Sequence, residues 1–174
     1  HKGMVGSSIL RKLKDDSQNQ IITRERKDLD LTNQNKVNDF FRKEKPDQVY
    51  LAAAKVGGIY ANNTKRSDFI IENLKINLNV LEACIPYNFI EIINLGSSCI
   101  YPLDAENPIS EDSFLTGKLE PTNSPYAIAK IAGIEIGRSM NLQYGHKVTN
   151  LMPTNLYGPG DNFSEKDSHV IPGL

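Results

Sequence analysis

Tyr126 and Lys130 stand four residues apart in Pro125-Tyr126-Ala127-Ile128-Ala129-Lys130, a spacing that puts both on one face of a helix. A phenol is a poor acid–base group near neutrality, its ordinary pKa being about 10. An ammonium one turn away favours the phenolate and brings that value toward the working range. The same ammonium is suited to holding a ribose. Tyr-x-x-x-Lys alone is a frequent surface pattern, and its weight here comes from Leu95-Gly96-Ser97-Ser98-Cys99, which follows an apolar run. The carboxyl end of a parallel strand is where open α/β sheets bind ligands, and a serine there can hydrogen-bond a carbonyl oxygen. Ser97 is the first choice and Ser98 the second, with turn formation as the bland role of both. Together these residue types suit carbonyl reduction.

A second group of residues suits a phosphate. His1-Lys2-Gly3-Met4-Val5-Gly6 sets two glycines three apart at a helix start. There the backbone can approach a pyrophosphate, and free N–H groups and the helix dipole favour an anion. The pattern is only the second half of the usual dinucleotide fingerprint, and a simple cap is the competing role. After Ile21-Ile22 comes Thr23-Arg24-Glu25-Arg26-Lys27. Cations at the end of a second strand accommodate the 2′-phosphate of NADP, whereas an acid there holds the ribose hydroxyls of NAD. Arg26 is the first choice for the phosphate and Arg24 the second; Glu25 keeps NAD open, and a solvated turn is the bland alternative.

The elements that position these residues follow from periodicity. Val5, Ile9, Leu10 and Leu13 recur at helical spacing and predict a helix over Met4–Lys14. Ile21-Ile22 predicts a short buried strand. Asn33 or Thr32 is suited to cap a helix through Val37, Phe40 and Phe41 that stops before Pro46. A strand at Val49-Tyr50-Leu51-Ala52, a long helix from about Ser67, and a strand at Phe89–Leu95 follow. Pro102–Pro121 is a polar loop. Ser124 and Pro125 open a helix to about Tyr144, and Val148–Met152 is the last strand. Strands alternating with helices, and no hairpin signals, predict an α/β fold with a parallel sheet covered on both faces.

The chain has 174 residues, 39% of them hydrophobic, with a net charge of -1, enough for one domain with a core. That balance gives no global attraction to nucleic acid or to an anionic membrane. Two cysteines make no disulfide framework: Cys84 lies in an apolar helical stretch, and Cys99 beside the candidate serines. No apolar run is long enough to span a bilayer, no signal-peptide pattern opens the chain, and a reducing cytoplasm is the expectation. No metal site is expected. A start at His1 and a stop at Leu174 suggest a fragment.

Gly-x-x-Gly, Leu51-Ala52-Ala53-Ala54, Gly96-Ser97-Ser98, Tyr126/Lys130 and Asn155-Leu156-Tyr157-Gly158-Pro159 occur in the order seen in extended short-chain dehydrogenase/reductases. Longer segments cover essentially the whole chain and resemble the GDP-L-fucose synthase family of epimerase-reductases. They are Ala52-Ala53-Ala54-Lys55-Val56-Gly57-Gly58-Ile59, Leu95–Pro102, Leu119-Glu120-Pro121-Thr122-Asn123, Pro125–Lys130, Met152–Pro159 and Ser168-His169-Val170-Ile171-Pro172. The resemblance implies a Rossmann-type doubly wound parallel sheet, truncated at its first strand and lacking most of the C-terminal substrate domain. Residues 1–160 would form the NADP-binding domain and 161–174 the start of the substrate-binding region.

The activity so implied converts GDP-4-keto-6-deoxy-D-mannose to GDP-L-fucose with NADPH, by epimerisation at C3 and C5 and then reduction at C4. Ser97, Tyr126 and Lys130 match the reductive triad, and Cys99 and His169 the epimerising pair. NADP(H) contacts carry over to His1, Lys2, Gly3, Met4, Val5 and Gly6, and to Arg26, Lys27, Asp28, Leu29, Asp30 and Leu31. Further contacts carry over to Leu95, Gly96, Ser97, Ser98, Lys130, Pro153, Thr154, Asn155, Leu156 and His169. The implied partner is a nucleotide sugar, with a homodimer expected through the long helices.

The residues themselves leave bland roles open: Cys99 as packing, His169 as a loop residue, and Asn73 on the long helix as a cap or surface group, against its other reading as a tether to backbone or water near the site. Two other functions compete. One is another NAD(P)-dependent nucleotide-sugar epimerase or dehydratase with the same triad; the other is a non-catalytic NADP-binding domain.

Overall fold

The computed structural model describes residues 1–163. Its centre is a parallel sheet of strands β1 (Gln48–Leu51), β2 (Glu91–Leu95) and β3 (Lys147–Leu151), ordered β1-β2-β3. The register sets Val49 beside Ile92 and Ile92 beside Val148, and Leu51 beside Asn94 and Asn94 beside Asn150. Side chains alternate across a strand, so Ile92 and Asn94 share one face, and both are buried.

Five helices accompany the sheet among the described residues: α1 (Met4–Leu13), α2 (Gln34–Glu44), α3 (Ile59–Thr64), α4 (Arg66–Cys84) and α5 (Ser124–Tyr144). Of the two caps open for α2, Asn33 takes the role, its side chain accepting from the Lys36 N–H at 3.1 Å. Pro125 lies in the first turn of α5, and Gly145, at φ 71°, ends the helix in the left-handed region that glycine tolerates.

Helices α4 and α5 pack closely because Gly133 leaves no side chain between them; a Cβ there would lie 2.8 Å from Asn77 Nδ2. That amide donates to the Ala129 carbonyl at 3.0 Å, so a buried polar group is satisfied across the helix pair. Val37 and Phe41 of α2, Ile76, Val80, Leu81 and Cys84 of α4, Met140 of α5, and Ile90, Ile92 and Val148 form the core on this side of the sheet.

Two expectations change. Ile21-Ile22 is not part of a strand among the described residues. A strand exists only through its ladder, and no strand lies against this segment. Instead, a cleft of about 780 Å³ is lined both by Gln18–Thr23 and by Gln48, Val49 and Tyr50 of β1. Helix α3 was not foreseen. Its six residues, straight after Gly57-Gly58, are too few to show a period.

Candidate active site

The candidate catalytic side chains among the described residues, Ser97, Cys99, Tyr126 and Lys130, meet at the carboxyl end of the sheet. β2 ends at Leu95, and Ser97 then caps a 3₁₀ turn over Ser98–Ile100, its Oγ accepting from the Cys99 N–H at 3.5 Å. Glycine at 96 permits a close approach, since a Cβ there would lie 2.6 Å from Met152 Sδ and 3.0 Å from the Leu151 carbonyl. Two backbone bonds anchor this loop to the exit of β3: Gly96 N–H to Leu151 O at 2.7 Å and Ser98 N–H to Pro153 O at 3.1 Å. The serine pair, Cys99 and Pro153 are thereby held on a rigid edge.

Helix α5 delivers Tyr126 and Lys130 to the same edge. Lys130 is only 4% exposed, and its Nζ donates to the Leu95 carbonyl at 2.6 Å while lying 5.7 Å from the centre of the Tyr126 ring. Burial lowers its pKa to about 8, a fall that the nearby Cys99 resists. Burial is also the main influence on Cys99, raising its thiol, while the Ser97 hydroxyl and the Lys130 ammonium act in the opposite sense.

Tyr126 departs from the sequence expectation. Burial first, and the charge of Cys99 second, push its phenol upward from the ordinary value. The Lys130 ammonium meanwhile donates to the Leu95 carbonyl and lies over the ring. Tyr126 is therefore held as a neutral phenol, the form that donates a proton. Ser97, Cys99, Tyr126 and Lys130 are one cluster, in which Cys99 acts electrostatically on both Tyr126 and Lys130. His169 lies outside the described residues.

The candidate phosphate loop leaves the start of α1 uncapped. Gly3 precedes α1 in extended backbone, with no side chain capping the helix and no acid in its first turn. A Cβ at Gly3 would meet nothing within 4 Å, so the space before the helix N-terminus is open. The 158–160 loop borders this end: a Cβ at Gly160 would lie 3.6 Å from Ser7 Oγ and 3.9 Å from Met4 Cα. A dinucleotide pyrophosphate fits these residues. His1, Lys2 and Gly3 are exposed, and Met4, Val5 and Gly6 half-buried.

The cation run divides sharply. Arg24 turns back onto α2, bonding Glu44 at 2.8 Å and lying 5.5 Å from the centre of the Phe40 ring. Arg26 points outward with its side chain 72% exposed, which favours it over Arg24 as a phosphate ligand. Lys27 and Asp28 are exposed too. Leu29 and Leu31 pack against the core, and Asp30 accepts from Thr32 N and Oγ1 at 2.9 and 2.8 Å. The side chains of these last three therefore shape the loop rather than face outward from it. Thr154, Asn155 and Leu156 are exposed beyond β3.

Two residues with no assigned role in the sequence reading join this region. Lys55 and Glu72 form an ion pair, and Lys55 also reaches Asp68 at 3.7 Å. Asn73 resolves as a staple: it is 2% exposed, accepts from Lys55 N–H at 2.8 Å and donates to the Lys55 and Phe69 carbonyls at 2.9 and 2.8 Å. No periodicity signals such a contact, since it joins α4 to the loop after β1.

The NAD dependent epimerase/dehydratase family model matches residues 1–174. Over 174 residues the chain is 53% identical to the GDP-L-fucose synthase of Escherichia coli (strain K12), covering 100% of this chain and 54% of that protein. A Campylobacter jejuni GDP-mannoheptose C4 reductase with NADP bound superposes with a TM-score of 0.92 at 38% identity, over 99% of this chain and 51% of that one. A GDP-L-fucose synthetase from Naegleria fowleri bound to NADP gives 0.85 at 30% identity, over 99% and 57%. The chain thus spans about half the length of the relatives it matches. The α/β parallel sheet expected from the sequence is the fold these proteins share, and the chain belongs to the NAD dependent epimerase/dehydratase family.

Proposed function

We propose that this chain is the cofactor-binding half of an NADPH-dependent GDP-L-fucose synthase, which epimerises GDP-4-keto-6-deoxy-D-mannose at C3 and C5 and reduces it at C4. The observation that carries this reading is the cluster of Ser97, Cys99, Tyr126 and Lys130 at the end of β2, with Lys130 buried and the other three half-buried, in a chain that also presents an uncapped helix N-terminus after Gly3. Resemblance to the Escherichia coli synthase over the whole chain supports the same substrate class.

NADPH, when bound, supplies the hydride. Gly3 and the N–H groups of α1 would hold its pyrophosphate, Lys130 its nicotinamide ribose and Arg26 its 2′-phosphate. The Ser97 and Tyr126 hydroxyls donate to the C4 keto oxygen and stabilise the enolate left when C3 or C5 loses a proton. Inversion requires removal of the proton on one face and its return on the other, hence two groups, Cys99 and His169. A thiol raised by burial is a competent proton donor; ionisation draws on Ser97 and Lys130, which both favour the thiolate. Tyr126 finally gives its proton to the C4 alkoxide. Its upward-shifted pKa keeps that proton in place until the oxygen needs it.

A reductase that does not epimerise is the second reading, favoured by the close match to the C4 reductase. Incubating the full-length protein with NADPH and the keto sugar, then identifying the product, separates the two: GDP-L-fucose supports the first, a C4-reduced sugar with C3 and C5 unchanged the second. In deuterium oxide, Cys99→Ser should suppress exchange at C3 and C5 while leaving cofactor affinity within about twofold of wild type; undiminished exchange removes Cys99 from the chemistry. Tyr126→Phe should cost reduction about 10²–10⁴-fold, and exchange less. By the same resemblance we infer a cytoplasmic homodimer formed through α4 and α5. No helix among the described residues is long and apolar enough to cross a membrane.

A further inference from the structure

Lys2, Arg26, Lys27 and Lys55, around the Arg26 loop, each already have a carboxylate. Lys2 and Lys27 share Glu25, at 2.6 and 3.7 Å. Arg26 spans from Glu72 at 3.4 Å to Asp30 at 4.0 Å, and the other oxygen of Glu72 is taken by Lys55. Glu72 thus couples the Arg26 turn to the loop after β1. Its side chain is only 26% exposed, against 72% for Arg26, so it is the better fixed and less screened member of the pair. Lys55 and Arg26 both hold its carboxyl below the usual range and keep it ionised.

Resting on the dinucleotide-cofactor reading above, we propose that Glu72 is a specificity-determining residue that weakens the preference for a 2′-phosphorylated dinucleotide over its unphosphorylated counterpart. A phosphate reaching Arg26 brings about two negative charges next to the Glu72 carboxylate and competes with it for the same guanidinium. A dinucleotide with a free 2′-hydroxyl leaves the Arg26–Glu72 pair intact. It can also donate a ribose hydroxyl to one of the carboxylates here, as dinucleotides do in NAD enzymes. Carboxylate-paired arginine therefore discriminates less than free arginine.

Titration of the full-length protein with NADPH, NADH and 2′,5′-ADP, by calorimetry, reads this without turnover. Glu72→Gln keeps the size of the side chain and an oxygen for Lys55. It should tighten 2′,5′-ADP and NADPH by roughly two- to fivefold, the range of one partly exposed charge contact, and leave NADH nearly unchanged. A combined Arg26→Gln/Glu72→Gln variant should lose that gain, because the effect runs through the guanidinium. Weaker 2′,5′-ADP binding by Glu72→Gln would overturn the proposal and make Glu72 a prop for Arg26. An equal shift for NADPH and NADH would overturn it as well. If wild type bound none of the three, the cofactor reading itself would fail, and this proposal with it.

Discussion

The cluster at the end of β2 and the cation loop after Thr23 are both electrostatic sites, yet they are built in opposite ways. In the first, Lys130 is 4% exposed and is held by a carbonyl, and burial moves its pKa to about 8. In the second, Lys2, Arg26 and Lys27 have side chains 69%, 72% and 75% exposed and each has a carboxylate partner. Water and salt screen the loop, so its pairs are individually weak and exchange readily with an incoming anion. The cluster, with Lys130 buried and its neighbours half-buried, is screened less, and each neighbour changes the protonation chemistry of the next. The loop is suited to recognising a charge, the cluster to moving a proton.

Substitution of Lys130 tests that contrast most severely. Lys130→Met should lower keto-sugar reduction about a hundredfold or more in steady-state assays. In the wild-type protein, reduction should fall as pH rises through about 8, as Lys130 loses its charge. The stability consequence has the opposite sense. The folded state loses the Lys130 proton at about 8 while the unfolded chain keeps it to the ordinary value, so stability rises with pH between them. Lys130→Met should accordingly raise Tm relative to wild type at pH 7 and lose that advantage by about pH 10. An advantage that does not change with pH would contradict the electrostatic account.

The rigidity of the cluster comes next. Gly96→Ala should destabilise by about 1–3 kcal/mol in denaturant unfolding, because the Leu151 carbonyl cannot yield as freely as the Met152 side chain. An unaffected midpoint would mean that the edge is softer than its backbone bonds imply. The smallest effect belongs to the loop. Glu25→Gln removes the shared partner of Lys2 and Lys27, but should leave Tm unchanged within error in thermal melts at physiological salt. A clear loss of Tm would erase the distinction between the two regions.

Much of this organisation was legible in the chain itself. The helical spacing of Val5, Ile9 and Leu13, the cap at Asn33 and the Ser124-Pro125 start of α5 are local signals that act through backbone chemistry, and each marks an observed helix. The apolar runs Val49–Ala52 and Phe89–Leu95 likewise mark strands, observed over Gln48–Leu51 and Glu91–Leu95. Short-range spacing also put Tyr126 and Lys130 on one helix and Ser97 and Cys99 in one turn.

Sequence alone left Ile21-Ile22 as a strand, since β-branched bulk marks a propensity but not a partner; in the fold the segment borders a cleft, without a ladder. It left Tyr126 with a lowered pKa, because spacing reports which groups are neighbours and not how far the fold withdraws the phenol from water. Only tertiary structure decided that Lys130 serves the Leu95 carbonyl, that Arg24 turns to Glu44 while Arg26 faces outward, and that Glu72 and Asn73 tie α4 to the loops on either side. Residue types and periods determine the elements because those forces act within a few residues. Burial and long-range pairing determine the chemistry, and they come into being only when distant segments meet.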